Sequence, residues 1–204
     1  MPPPLHSIVA LAGDTPPVQA IHFEATMSSG IQSNFVAAVT RFDTAIVTFV
    51  GARRKRPVAR LMLALTHAGD TESWFLQGLL LSLIHPMPGT VFAHIAVAAL
   101  AASGVAQLLK RSWKRPRPSA AVPGFLPACQ VPDCFSFPSG HSCVAFAVAS
   151  ALQGFGALGT FELALACGVG SSRVYLGAHY PLDVVVGASV GWMVGAATRV
   201  LLAP

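Results

Sequence analysis

Three polar clusters, far apart in the chain, hold the residues whose types and spacing suit chemistry. The first is KRSWKRPRP, residues 110–118, with Lys110, Arg111, Lys114, Arg115 and Arg117. Arg117 stands between Pro116 and Pro118, which restrict the backbone on both sides. A rigidly presented guanidinium suits a bidentate grip on phosphate oxygens. The same run also reads as a positive stop sequence after a membrane span.

The second cluster is FPSGHS, residues 137–142. Ser139 can cap a helix and Gly140 lets an anion approach the backbone. His141 then falls in the first turn, where free N–H groups favour an anion and an imidazole can hand a proton to a leaving oxygen. A capped helix start with an incidental histidine has the same sequence. The third cluster is SRVYLGAHYPLD, residues 172–183. Arg173 offers a second guanidinium. His179 and Asp183 are four apart with Pro181 between them. If Pro181 opens a helix, Asp183 can reach back, hold one ring nitrogen of His179 and leave the other free as a nucleophile. Acidic residues favour helix N-termini in any case.

The elements that must position these clusters are apolar. The chain has 204 residues, 53% of them hydrophobic and 10% charged, with mean hydropathy +0.62. A soluble domain carries roughly 25% charged residues, so a soluble globular protein and a disordered one are both poor fits. The net charge of +5 suits anionic headgroups or a phosphorylated substrate better than nucleic acid. The start, MPPPLHSIVALAGD, has no positive n-region and does not read as a cleaved signal peptide.

Residues 1–57 read as an N-terminal arm with an interfacial amphipathic helix over about Ser33–Val50, followed by the basic stretch GARRKRPVAR, an anchor for anionic lipid. A short helix, a break near His67, Asp70 and Glu72, and a span from about Trp74 come next. Further spans are expected over 89–109, 141–155, 157–172 and 182–198. Parity then places 110–118, 136–141 and 172–183 at one membrane face. Polar residues gathered there are costly and usually functional. His67, Asp70 and Glu72 either touch a substrate head at that face or mark a plain helix terminus. His85 and His94 read as a turn residue and a packed helix residue. Trp74, Trp113 and Trp192 fit interfacial belts, and Cys143 and Cys167 read as packing residues.

Taken together the clusters resemble one family. Lys110 with six residues before Arg117-Pro118, then Pro138-Ser139-Gly140-His141, then Ser172-Arg173 with five residues before His179 and three before Asp183, is similar to the three-part signature of the type 2 phosphatidic acid phosphatase superfamily. The motifs cover about residues 110–183 and the helical pattern extends the resemblance to roughly 60–200. The stretch from TRFD to LMLALTHAGD is similar to the N-terminal part of small bacterial members.

The resemblance implies an all-α, multi-pass transmembrane bundle of about five to six helices, with residues 58–204 as the membrane phosphatase domain and the active site at one face. In such a protein His179 attacks phosphorus and becomes a phosphohistidine, Asp183 orients it, and His141 protonates the leaving oxygen and then activates water. Lys110, Arg117, Ser139, Gly140 and Arg173 hold the phosphoryl oxygens. Neither a metal nor a cofactor is required. The expected partners are the bilayer and a lipid phosphate, first a polyprenyl diphosphate or phosphate of undecaprenyl type. Phosphatidic acid, phosphatidylglycerophosphate and a lipid A phosphate are alternatives, and a headgroup phosphotransferase would use the same residues with an alcohol acceptor. No nucleic acid is expected, and the sequence leaves the oligomeric state open.

The expected location is the inner membrane. The basic residues at 53–60 and 111–115 lie near the catalytic face while the turns HPMPG and GFGALG carry none, which favours the cytoplasmic side. Cys129 and Cys134 oppose this, because a disulfide between them would need an oxidising face.

Overall fold

The structure is a computed structural model that describes residues 30–84, 87–131 and 133–203. Its regular elements there are all helices: α1 (Gly30–Ala52), α2 (Arg56–Ala68), α3 (Thr71–Ile84), α4 (Pro88–Trp113), α5 (Pro118–Ala121), α6 (Gly140–Ala151), α7 (Ala157–Tyr175) and α8 (Pro181–Leu201). Among the described residues there is no strand, and one isolated β-bridge pairs Pro116 with Phe135. The all-α expectation is met. Prolines open several of these helices, Pro88 in α4, Pro118 in α5 and Pro181 in α8, where the missing N–H costs nothing.

The chain divides into two units, residues 1–36 and 37–204. The second holds the helical core. At its centre α6 is buried from Ser142 to Ala151 apart from Phe146. α8 lies against it through Gly187, Gly191 and Gly195, which share one helix face by their four-residue spacing. A Cβ on Gly191 would stand 2.0 Å from the Cys143 carbonyl oxygen, and one on Gly195 2.1 Å from that of Ala147. Only glycine permits so close a backbone approach. α4 packs on α6 through Ala98, Ala102 and Ala106, all buried. Outward faces stay apolar: Phe75, Leu79, Leu83 and Ile84 of α3 and Met193, Val200 and Leu201 of α8 are exposed. So much exposed apolar surface calls for lipid or a partner.

Two described helices, Gly89–Trp113 and Pro181–Leu201, are long and apolar enough to cross a membrane, and Gly140–Ala151 is apolar but shorter. The span expected over 141–155 thus ends at Ala151. α7 carries Glu162, fully buried, whose Oε1 accepts a hydrogen bond from Gln77 Nε2 of α3.

α1 starts and ends a little beyond the expected Ser33–Val50. It buries Asp43 and Val47 while Phe42 and Phe49 stay exposed. In the basic stretch Arg54 turns inward, against the expectation of a lipid anchor. Its guanidinium donates to the carbonyls of Tyr175 and Leu126, both at 2.8 Å, and lies over the Phe125 ring. Gly177 makes room for it: φ is +76°, and a Cβ there would sit 2.3 Å from Arg54 Nη2. Trp74 is also a correction. It is buried, not at an interface, because its indole N–H donates to the Gly69 carbonyl at 3.1 Å and closes the α2–α3 turn. Trp113 and Trp192 are exposed. His94 is buried, its Nδ1 bonded to the Thr90 carbonyl at 2.8 Å, the packed helix residue expected. His85 lies outside the described residues.

Candidate active site

The end of α4, the start of α6 and the α7–α8 turn come together, as parity requires. Lys110 sits in the last turn of α4, and Lys114 ends that helix in the left-handed conformation. The following segment runs beside residues 135–136, tied by the Ser136 N–H to the Arg115 carbonyl at 2.8 Å. Ser139 caps α6. Its backbone N–H donates to the Asp183 carbonyl at 2.9 Å, which fixes the start of α6 against the start of α8. The chain leaving α7 folds back on itself, with the Ala178 and His179 N–H groups both on the Arg173 carbonyl at 3.0 and 3.2 Å.

His179 is 1% exposed. Nδ1 donates to the Ser136 carbonyl at 2.7 Å, so Nε2 carries the lone pair, and Arg117 Nη1 approaches it at 3.2 Å. Burial, aided by the Arg117 and Arg173 charges, pushes the imidazole down to about 3. The ring is therefore neutral at physiological pH, with a defined tautomer and its free nitrogen turned toward a guanidinium. Asp183 does not make the direct hydrogen bond that the spacing suggests. Its Oδ2 lies 3.6 Å from Nδ1. That oxygen instead accepts the Tyr180 N–H at 2.9 Å, and Oδ1 accepts Arg115 Nη1 at 2.6 Å. A residue in the first turn has helix N–H groups to satisfy, and they compete with the imidazole.

Three buried cations surround this point. Lys110 Nζ and Arg117 Nη2 are each 2.6 Å from an Asp133 carboxylate oxygen. Arg117 also donates to the carbonyls of Asp133 and Ala178. Arg173 donates from Nη1 to Thr66 Oγ1 at 2.7 Å, and its buried Nε makes no hydrogen bond. Such a donor is well suited to an incoming anion. Gly140 lies beside Lys110, whose Nζ is 3.9 Å from where a Cβ would be. Ser139 Oγ accepts from Ser142 Oγ at 2.9 Å, which leaves its own proton to give.

His141 Nε2 meets Asp70 Oδ1 at 2.9 Å, and His67 Nδ1 meets Asp70 Oδ2 at 2.8 Å. Burial opposes ionisation of Asp70, yet these two hydrogen bonds hold its carboxyl below the usual range. Asp70 is thus the partner of His141, and Glu72 has no such contact described. Among the described residues, no group of three or more His, Cys, Asp or Glu is placed to hold a metal ion. All four cysteines are unpaired, Cys129 and Cys134 included.

Four participants were not visible as such in the sequence. Asp133 is the only acid between Pro118 and Ser139, a signal in a loop otherwise without charge. Asp43 is an acid inside an apolar helix, where an ion needs a partner. It accepts Arg115 Nη2 at 2.6 Å. By sequence Arg115, like Arg111 and Lys114, fits either lipid headgroups or a neutral anchoring role; in the structure it is an internal tie, with its guanidinium also 4.1 Å over the Tyr180 ring. Ser136 contributes only a carbonyl, which no side-chain pattern reveals.

Residues 92–203 match the PAP2 superfamily. The chain is 32% identical over 133 residues to decaprenylphosphoryl-5-phosphoribose phosphatase of Mycobacterium tuberculosis, covering 65% of this chain and 73% of that one. It is 34% identical over 117 residues to lipid A 1-phosphatase of Rhizobium etli, covering 54% and 50%. In fold it is similar to Aquifex aeolicus LpxE (TM-score 0.65, 23% identity, 76% and 92% covered). It is similar too to a transmembrane PAP2-type phosphatidylglycerolphosphate phosphatase of Bacillus subtilis (TM-score 0.66, 24% identity, 80% and 86% covered).

Proposed function

The chain belongs to the PAP2 superfamily, and on that premise we propose that it is an integral-membrane lipid phosphatase working through a phosphohistidine on His179. The observation that carries this is the fixed tautomer of His179, with Nδ1 committed to the Ser136 carbonyl and the Nε2 lone pair facing Arg117 Nη1 at 3.2 Å.

In the first step the Nε2 lone pair forms a bond to phosphorus as the ester oxygen departs, and His141 gives that oxygen a proton. In the second, His141 takes a proton from water, the water oxygen bonds to phosphorus and the N–P bond breaks, releasing orthophosphate. Charge spreads over the phosphoryl oxygens during both transfers. Lys110, Arg117 and Arg173, with Ser139 and Gly140 at the start of α6, are positioned to stabilise it. Asp70 orients the His141 ring through its hydrogen bond, the Ser136 carbonyl orients that of His179, and the Asp183 carboxylate stands 3.6 Å from His179 Nδ1.

The exposed apolar faces of α3 and α8 support a lipid substrate drawn from the bilayer, with helices beyond the two long ones completing five to six membrane helices. The relative acting on a decaprenylphosphoryl compound supports a polyprenyl phosphate, and the undecaprenyl-type phosphate or diphosphate is the first choice. The lipid A 1-phosphatase relative supports a second reading, a lipid A phosphate. Arg53, Lys55, Arg56, Arg60, Arg111 and Lys114 remain exposed, and Lys55 N–H donates to the Tyr175 hydroxyl near the end of α7. These charges at the catalytic end favour an inner-membrane protein with its site on the cytoplasmic side.

The test is phosphate release by purified protein, with metals chelated, from polyprenyl phosphate, polyprenyl diphosphate, phosphatidic acid, phosphatidylglycerophosphate and lipid A. Preferred release from a polyprenyl substrate is expected. No release from any of them, or transfer to an added alcohol in place of water, would contradict the reading.

A further inference from the structure

Asp133 has no part in the chemistry above, yet it holds the middle of the site. Its Oδ2 lies 2.6 Å from Lys110 Nζ and its Oδ1 2.6 Å from Arg117 Nη2. Two of the three cations expected to hold the phosphoryl group are thus engaged by one internal anion. A carboxylate presents two oxygens to these donors much as a phosphoryl group would. Burial opposes its ionisation, but the hydrogen bonds from Lys110 and Arg117 keep it below the usual range, so it is charged. Its side chain is 36% exposed, whereas the Lys110 and Arg117 side chains are 8% and 4% exposed. The acid sits at the mouth and the cations behind it. Arg117 Nε is bonded to the Asp133 backbone carbonyl at 2.8 Å, a tie that does not involve the carboxylate.

We infer that Asp133 is an internal competitor for the phosphoryl cradle, setting which anions the site admits and helping to expel orthophosphate. This rests on the proposed phosphatase reading. A phosphate must displace the carboxylate from both cations to bind. A lipid phosphate arrives at high local concentration in the headgroup layer and brings the binding energy of its tails. Free orthophosphate has neither, so the same cost leaves it unbound at concentrations where the lipid phosphate still binds. When orthophosphate forms in the site, the carboxylate returns to Lys110 and Arg117 and takes its place.

The test is orthophosphate binding to purified Asp133→Asn and Asp133→Ala in detergent, followed by thermal shift and calorimetry, beside the unaltered protein. Both variants should bind orthophosphate about tenfold more tightly or better, roughly one charge-assisted hydrogen bond released for use. Asp133→Glu should stay near the unaltered value. Unchanged or weaker binding in the Asn and Ala variants would overturn the inference, since a carboxylate that merely arranges the cations would cost anion affinity when lost. Failure of both variants to fold would overturn it too, by making Asp133 a structural clasp. Lipid phosphate turnover by the unaltered protein, measured on the same preparation, separates the two ideas: its absence counts against the phosphatase reading, while the orthophosphate comparison still decides the role of Asp133.

Discussion

Arg115 ties Asp183 to Asp43, with Nη1 2.6 Å from one carboxylate and Nη2 2.6 Å from the other. Asp43 completes the link by accepting the Leu182 N–H at 3.0 Å. The first turn of α8, and with it Asp183 beside His179, is therefore held in place from α1. Arg115 and Asp43 touch neither imidazole and act as positioning residues. Asp43→Asn and Arg115→Lys should each lower kcat by roughly 10- to 100-fold through misplacement of the reacting groups, with KM moved far less. Steady-state kinetics on a lipid phosphate check this; a rise in KM at constant kcat would mean that these residues serve headgroup binding instead.

Burial of His179 makes stability depend on pH. Its folded value, about 3, lies below the ordinary 6.5. The contribution is complete above pH 6.5 and is lost as pH falls from there toward 3, because the unfolded chain takes up the proton first. The expected slope is about 1.4 kcal/mol per pH unit from this group. Thermal midpoints of the unaltered protein and of His179→Gln should converge as pH falls through that window. Parallel curves would show that His179 is not buried neutral.

Loss of the proposed acid should depend on the leaving group. His141→Ala should cost about 10²- to 10⁴-fold for an alkyl lipid phosphate. In the single-turnover phosphoryl transfer from a nitrophenyl phosphate, whose leaving oxygen needs no proton, the loss should be much smaller. Rapid-quench measurement of both substrates decides it. Equal losses would give His141 a binding role.

The α6–α8 contact should tolerate no side chain. Gly191→Ala places a methyl against the Cys143 carbonyl and should destabilise by about 3 kcal/mol. Gly104→Ala meets nothing within 4 Å and should stabilise α4 by about 0.5–1 kcal/mol. Thermal unfolding in detergent compares them, and a neutral Gly191→Ala would mean that the helices are further apart.

Much of this was legible in the sequence for definite reasons. Long apolar runs with prolines at their starts specify helices, and the parity of those runs brings Lys110, His141 and His179 to one end. What escaped depends on distant pairing. Arg115 and Asp43 are 72 positions apart, and nothing local distinguishes Arg115 from its neighbour Lys114, which stays exposed. His67 and Asp70 fit either a substrate-head contact or a plain helix end by sequence, and nothing local shows that Asp70 meets His141, 71 positions away. The four-residue spacing of His179 and Asp183 suits a direct bond; the capping needs of α8 and the pull of Arg115 redirect the carboxylate.

The most direct measurement is to quench the protein with a ³²P-labelled lipid phosphate during turnover and map the labelled peptide by mass spectrometry. An acid-labile phosphoryl group on His179, absent from His179→Ala, is the predicted result. Label on another residue, or turnover with no trapped adduct in a protein slowed at its second step, would contradict the account.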